Sequence, residues 1–210
     1  SLVSIGRDLI VQFNPALANF DGLLALKDIG QDLKIIRNKA LEKLDGLEAL
    51  ENISRDLVIR NNEILKSFEG VDALTTIGGD FFLLEFPDIV GLSSLSSIGG
   101  NFSIFNNTKL TDIDELSSLA TIGGDLYIYA NSELENVDGL ATLTLVGGDI
   151  HIFDNDQLTN LGNRADEVFT ENNGLSALQN IAGDLYVHNN YALNSCGGLA
   201  PVLGFPSLPP

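Results

Sequence analysis

Ile122–Leu145 reads IGGDLYIYANSELENVDGLATLTL. Reduced to its recurrent positions it becomes I-G-G-D-L-x-I-x-x-N-x-x-L-x-x-φ-x-G-L-x-x-L-x-x, with φ apolar, a unit of 24 residues. The unit starts afresh at Ile5, Ile29, Ile53, Ile77, Ile98, Ile122, Val146 and Ile181, with spacings of 24, 24, 24, 21, 24, 24 and 35 residues. A period of this size held over eight copies predicts a solenoid. One copy cannot bury its apolar side alone and must stack on its neighbours, so residues 1–203 are expected to form a single elongated domain.

After the Asp of each copy, apolar and variable residues alternate, as in Leu33-Lys34-Ile35 and Leu57-Val58-Ile59. Such alternation predicts a short strand with one buried face. Stacked coils would set these strands side by side in one long parallel sheet, about 4.8 Å apart. The starting Ile or Val, the Leu at position 5, the Ile at position 7 and the later Leu residues are the expected core. Coil four (Ile77–Ser97) is three residues short, and Phe86 and Pro87 stand where the Asn of the repeat falls. Coil seven carries about eleven extra residues, roughly 162–173 (GNRADEVFTENN), which as a polar insertion are expected in a surface loop. The tail 204–210, GFPSLPP, is too rich in Pro to continue a ladder.

Several positions form columns of one residue type. The Asn column is Asn14, Asn38, Asn62, Asn107, Asn131, Asn155 and Asn190. Each is expected to pair backbone groups of its own turn and of the next coil, because buried polar groups must be hydrogen-bonded. The Asp column is Asp8, Asp32, Asp56, Asp80, Asp125, Asp149 and Asp184, whose carboxylates are expected to accept backbone N–H groups at the turn. Calcium between coils is the alternative, but a hard cation takes about six to eight oxygens and one carboxylate per coil is a thin supply. The Gly pairs, such as Gly78-Gly79 and Gly123-Gly124, lack the strand and helix context of a dinucleotide fingerprint and are expected to provide positive φ at a corner.

The outward strand positions carry the functional clue. From coil four onward, positions 6 and 8 are mostly aromatic or imidazole: Phe82, Phe105, Tyr127, Tyr129, His151, Phe153, Tyr186 and His188, with Leu84 and Ser103 among them. The chain has 11 Phe, 4 Tyr and 2 His, so nearly half of them sit on these few positions. A contiguous aromatic face of this kind marks a ligand- or partner-binding surface. His151 and His188 lie on adjacent coils and could approach one another. Zinc would want further ligands, though, and the neighbouring outward positions are Tyr and Phe. No metal or cofactor is expected. Cys196, the one cysteine, is expected to pack in the final coil.

Composition narrows the classes. The net charge is −18 and Lys+Arg number 11 in 210 residues, which argues against nucleic acid and against an anionic membrane surface. No apolar run is long enough for a spanning helix. Positions 6 and 8 contain no Asp or Glu, so the paired carboxylates of a glycoside hydrolase are missing and an enzyme is not expected.

The motif I-G-G-D-L-x-I-x-x-N-x-x-L followed by G-L-x-x-L, seen in Ile29–Leu50, Ile122–Leu143 and Ile181–Leu199, resembles the receptor L-domain repeats, relatives of the leucine-rich repeat. It looks most like the versions in bacterial secreted and surface proteins. The spacing N-x-x-L, Asn131 to Leu134, departs from the N-x-L of a leucine-rich repeat and favours the L-domain variety. The resemblance implies a right-handed, β-helix-like solenoid, mainly β, with short turns or helical pieces. It implies secreted or cell-surface ligand binding through the sheet face, to a protein or a glycan, and no catalytic residues. The competing expectation is a spacer or self-associating domain of a larger surface protein.

Overall fold

Residues 2–162 and 173–203 are described by a computed structural model of the chain. Most of the insertion, 163–172, and the whole tail, 204–210, lie outside the described residues. Two parallel sheets of eight strands each run along the molecule. The wider sheet consists of Leu9–Gln12, Leu33–Ile36, Leu57–Arg60, Phe81–Leu84, Phe102–Phe105, Leu126–Tyr129, Ile150–Phe153 and Leu185–His188. The narrower one is built of two-residue strands such as Thr76–Ile77, Ser97–Ile98 and Thr121–Ile122. Short 3₁₀ turns, Asp21–Leu23, Asp114–Leu116, Asp138–Leu140 and Gly197–Leu199, are the helical pieces among the described residues. The fold is a β-solenoid, as the repeat predicts, but with a second sheet formed by the starting Ile or Val and the residue before it. Among the described residues no helix is long and apolar enough to cross a membrane.

Every repeat position faces its own copy. Leu126, Tyr127, Ile128 and Tyr129 pair with Ile150, His151, Ile152 and Phe153. The register survives the short coil, Phe102 against Phe81, and the long one, Ile150 against Leu185. In the middle coils the position 5 and 7 side chains, such as Leu126 and Ile128, are fully buried while Tyr127 and Tyr129 stay half-buried. Burial of each such Leu or Ile contributes about 1.5–3 kcal/mol. Coil seven keeps this core through its insertion: Leu161 and Leu175 flank it, both are buried, and the Leu175 N–H donates to the Leu161 carbonyl at 2.9 Å.

The Asn column is a buried amide ladder. Asn131 Oδ1 accepts the backbone N–H of Asn107 at 3.1 Å, and its Nδ2 donates to the Ile104 carbonyl at 2.9 Å and to Asn155 Oδ1 at 3.1 Å. The pattern repeats up and down the rod, with Phe86 as the one break. There the Phe86 N–H still donates to Asn107 Oδ1 at 2.9 Å. The Phe86 ring packs 4.6 Å from that of Phe68, beside the Phe81–Phe102 stack at 5.2 Å. Large rings thus fill the volume that the shortened coil leaves.

The Asp column runs a second ladder in the opposite sense. Asp125 Oδ1 accepts the N–H of Asp149 at 2.8 Å, and Asp149 Oδ1 that of Asp184 at 2.7 Å. Asn101 takes the same place in coil five, accepting from Asp125 at 2.8 Å. This ladder explains the Gly pairs and corrects their expected role. None of the pair glycines has positive φ; that conformation falls on Gly46, Gly70, Gly91, Gly162 and Gly174. The first Gly of a pair lies against the backbone of the previous coil, so that a Cβ on Gly123 would stand 2.2 Å from the Gly99 carbonyl oxygen. The second lies under the Asp carboxylate, so that a Cβ on Gly148 would meet Asp125 Oδ1 at 1.9 Å.

The residue before each ladder Asn, and before Phe86 in its place, turns the strand through the left-handed region: Phe13, Arg37, Asn61, Glu85, Asn106, Ala130, Asp154 and Asn189 all have φ between 55 and 62°. Side chains other than Asn and Asp are disfavoured there. Ala130→Gly is therefore expected to stabilise the fold by about 0.5–1 kcal/mol. Asn131→Ala strands buried partners on two coils and is expected to cost about 3 kcal/mol or more. Urea denaturation of the two variants checks both signs.

Candidate binding face

Positions 6 and 8 of the wide sheet put their side chains on its outer surface. Because the register is exact in repeat position, like rings meet. Phe105, Tyr129, Phe153 and His188 form one stack, with centroids 5.1, 4.9 and 5.0 Å apart and planes within 13°. Tyr127, His151 and Tyr186 form a second, with both separations 4.6 Å. Seven of the eight predicted residues are thus brought together in two parallel columns. Phe82 shares the outer face, 40% exposed, but Ser103 separates it from Tyr127 in the register. Ser103 itself is buried, against the expectation for an outward position.

Stacking decides what the face offers. Each interior ring spends both faces on its neighbours, so the columns present ring edges. The end rings stack on one side only, Phe105 and Tyr127 at one end and Tyr186 and His188 at the other, and of these Tyr186 and His188 are exposed, Tyr186 at 43%. Tyr191, just beyond, is 82% exposed.

The Asp ladder borders this face, a connection the sequence reading misses although the i, i+2 spacing of Asp and Tyr places them on one side of a strand. The inner carboxylate oxygen holds the next coil and the outer one meets the face. Tyr127 and Tyr186 donate their hydroxyls to Asp125 Oδ2 and Asp184 Oδ2, each at 3.0 Å. Burial first, then the bond to Asp125 and its charge, pushes the Tyr127 hydroxyl pKa up. For Tyr186 the bond to Asp184 leads. Both phenols therefore remain neutral donors at physiological pH. His151 Nε2 lies 3.7 Å from Asp149 Oδ2. In coil two Lys34 takes the same place, donating to Asp32 Oδ2 at 2.6 Å. That bond holds the Asp32 carboxyl below the usual carboxylate range.

His151 and His188 belong to different columns and do not meet as a metal pair. Among the described residues no group of three His, Cys, Asp or Glu side chains stands close enough to hold a metal ion. Cys196 is exposed rather than packed in the last coil. The chain matches no family model, no curated protein and no solved structure.

An aromatic pair contributes about 0.5–1.5 kcal/mol beyond its buried area. Tyr129→Ala breaks two pairs in the middle of a column, whereas Tyr186→Ala breaks one at its end. Chemical denaturation is expected to show the first variant losing at least twice the stability of the second. Equal losses would mean that the rings lie side by side without stacking energy.

Proposed function

We propose that the chain is a non-enzymatic binding or adhesion module of a secreted or cell-surface protein, and that it docks a protein partner on the aromatic columns. The observation that carries this reading is the ring array. Seven rings in two stacks make a surface that is apolar, half-exposed and already rigid. A rigid aromatic surface contributes contact area at low ordering cost, which is what interface anchors require. Edges rather than ring faces point outward along most of the columns, which suits protein side chains better than the flat face of a sugar ring. The absence of Asp and Glu from positions 6 and 8 supports a binding role over glycan hydrolysis. The receptor L-domain resemblance of the repeat belongs to the same proposal, supported by the N-x-x-L spacing and the G-L-x-x-L that follows it.

A self-association reading is favoured by one separate observation. The first coil exposes Leu2, Val3, Ile10, Phe13 and Leu24, each at 48–63%, and its strands are paired on one side only. Apolar side chains at an open sheet edge are covered by further strands, whether of the same protein or of a second copy.

A surface-protein pull-down beside a glycan array, with wild type and the Tyr186→Ala/His188→Ala variant, tests the proposal. Both substitutions lie on the exposed last rung, so the solenoid is expected to persist. The expected result is a protein captured by the wild type and bound at least ten-fold more weakly by the variant. A glycan signal lost in the variant would make the occupant a sugar. Capture that the variant leaves unchanged, or no capture with a dimer in sedimentation, would replace the proposal by the self-association reading.

A further inference from the structure

The three residues missing from coil four are lost between Phe86 and Gly91, five positions apart where Asn131 and Gly139 of coil six are eight apart. The turns of coils three and five project on either side of the shortened one. Between them opens a cleft of about 500 Å³, lined by Lys66, Glu85, Pro87, Asn106, Thr108 and Lys109, with Phe86 contributing to its wall. An adjoining hollow of about 200 Å³ shares Lys66 and Glu85 and adds Arg60.

The charges of this cleft are unusual for the chain. It has 29 acidic residues and six lysines. Four lysines are matched to carboxylates: Lys27 to Glu51 at 2.5 Å, Lys34 to Asp32 at 2.6 Å, Lys39 to Glu63 at 2.8 Å and Lys43 to Glu69 at 2.5 Å. The two left without one, among the described residues, are Lys66 and Lys109, and both line the cleft. Lys66 Nζ donates to the Glu63 carbonyl at 2.8 Å and keeps its charge unmatched. Lys109 is the single Lys or Arg between residues 67 and 162. Arg7, Arg37 and Arg60 also lack a carboxylate partner among the described residues, and Arg60 stands in the adjoining hollow, so three of the five unmatched cations gather on one concave surface; that concentration points to an anion that is not part of the chain.

We infer that this cleft binds a compact acidic sugar, a unit bearing one carboxylate. Lys66 and Lys109 supply the charge-assisted bonds that a carboxylate takes. Asn106 and Thr108 supply side-chain donors and acceptors for ring hydroxyls, and Pro87 an apolar wall. The volume falls in the range of small-molecule sites, which combine apolar lining with a few placed polar groups. Glu85 on the same wall opposes a further negative charge, and the field of a chain at −18 repels polyanions at a distance, so the site selects a singly charged unit. The cleft stands on the turns of coils three to five, apart from the aromatic columns, and does not depend on their role.

Isothermal titration with galacturonate, and with its methyl ester as the neutral control, tests the assignment at low ionic strength. Wild type is expected to bind the acid at least ten-fold more tightly than the ester. Lys66→Gln and Lys109→Gln are each expected to weaken the acid by about ten-fold, the usual size of a charge-assisted bond. Glu85→Gln is expected to tighten it. These side chains lie at the surface of the cleft, and unchanged circular dichroism will confirm that the variants keep the fold. Equal affinity for acid and ester, lysine variants that bind as wild type does, or no heat with the acid would overturn the assignment.

Discussion

In this solenoid every position of the repeat lies against its own copy one coil away, and each residue type must therefore tolerate itself as a neighbour. Apolar side chains do so without difficulty, which is why Ile122 and Leu126 recur with little variation. Asn does so because its amide is donor and acceptor at once: Oδ1 serves the coil before and Nδ2 can reach the coil after. Asp would fail, since like charges one strand apart repel. It persists because each carboxylate is occupied by the backbone N–H of the next coil, as in Asp56 with Asp80 at 2.9 Å. Gly satisfies the constraint by having nothing to place there. Where the ladder is not self-matching, charge is complementary between coils instead, as in Lys27 with Glu51.

The aromatic columns follow from the same constraint. A ring on the outer face has another ring at strand spacing, and parallel stacking at 4.6–5.1 Å results. The function proposed for the face uses a by-product of the fold, its rigidity. It is also shaped by the fold's cost: ring faces are consumed inside the stack, and the most exposed stacked rings are those of the end rung, Tyr186 and His188.

Much of this was legible in the sequence because self-stacking turns a spatial relation into a column of letters. The strands, the Asn ladder and the two outward positions are all read by aligning the copies. What escaped is what alignment alone does not distinguish. A repeated Gly can mean positive φ or close approach, and only the folded backbone shows that Gly123 and Gly148 are of the second kind. The left-handed turn before each Asn is masked by residues as unlike as Phe13, Arg37 and Ala130, because the register imposes that conformation whatever the side chain. The narrow second sheet is two residues wide, too short for alternation to be visible. Cys196 falls past the strand Leu185–His188, outside the columns that aligned copies reveal, and is exposed.

Self-stacking also explains why the cleft lies where it does. A regular coil covers its neighbours completely, so a perfect repeat has no concavity. A concave site needs a coil that departs from the pattern, and coil four departs three times over: in length, in losing the ladder Asn to Phe86, and in placing Pro87 beside it. The core absorbs the departure through the Phe68, Phe81, Phe86 and Phe102 rings, which keep the interior filled while the surface opens. A deletion that was merely tolerated would require no cations around it. Lysines without carboxylate partners on the turns to either side, in a chain with acids to spare, tie the irregularity to a ligand rather than to drift in the repeat.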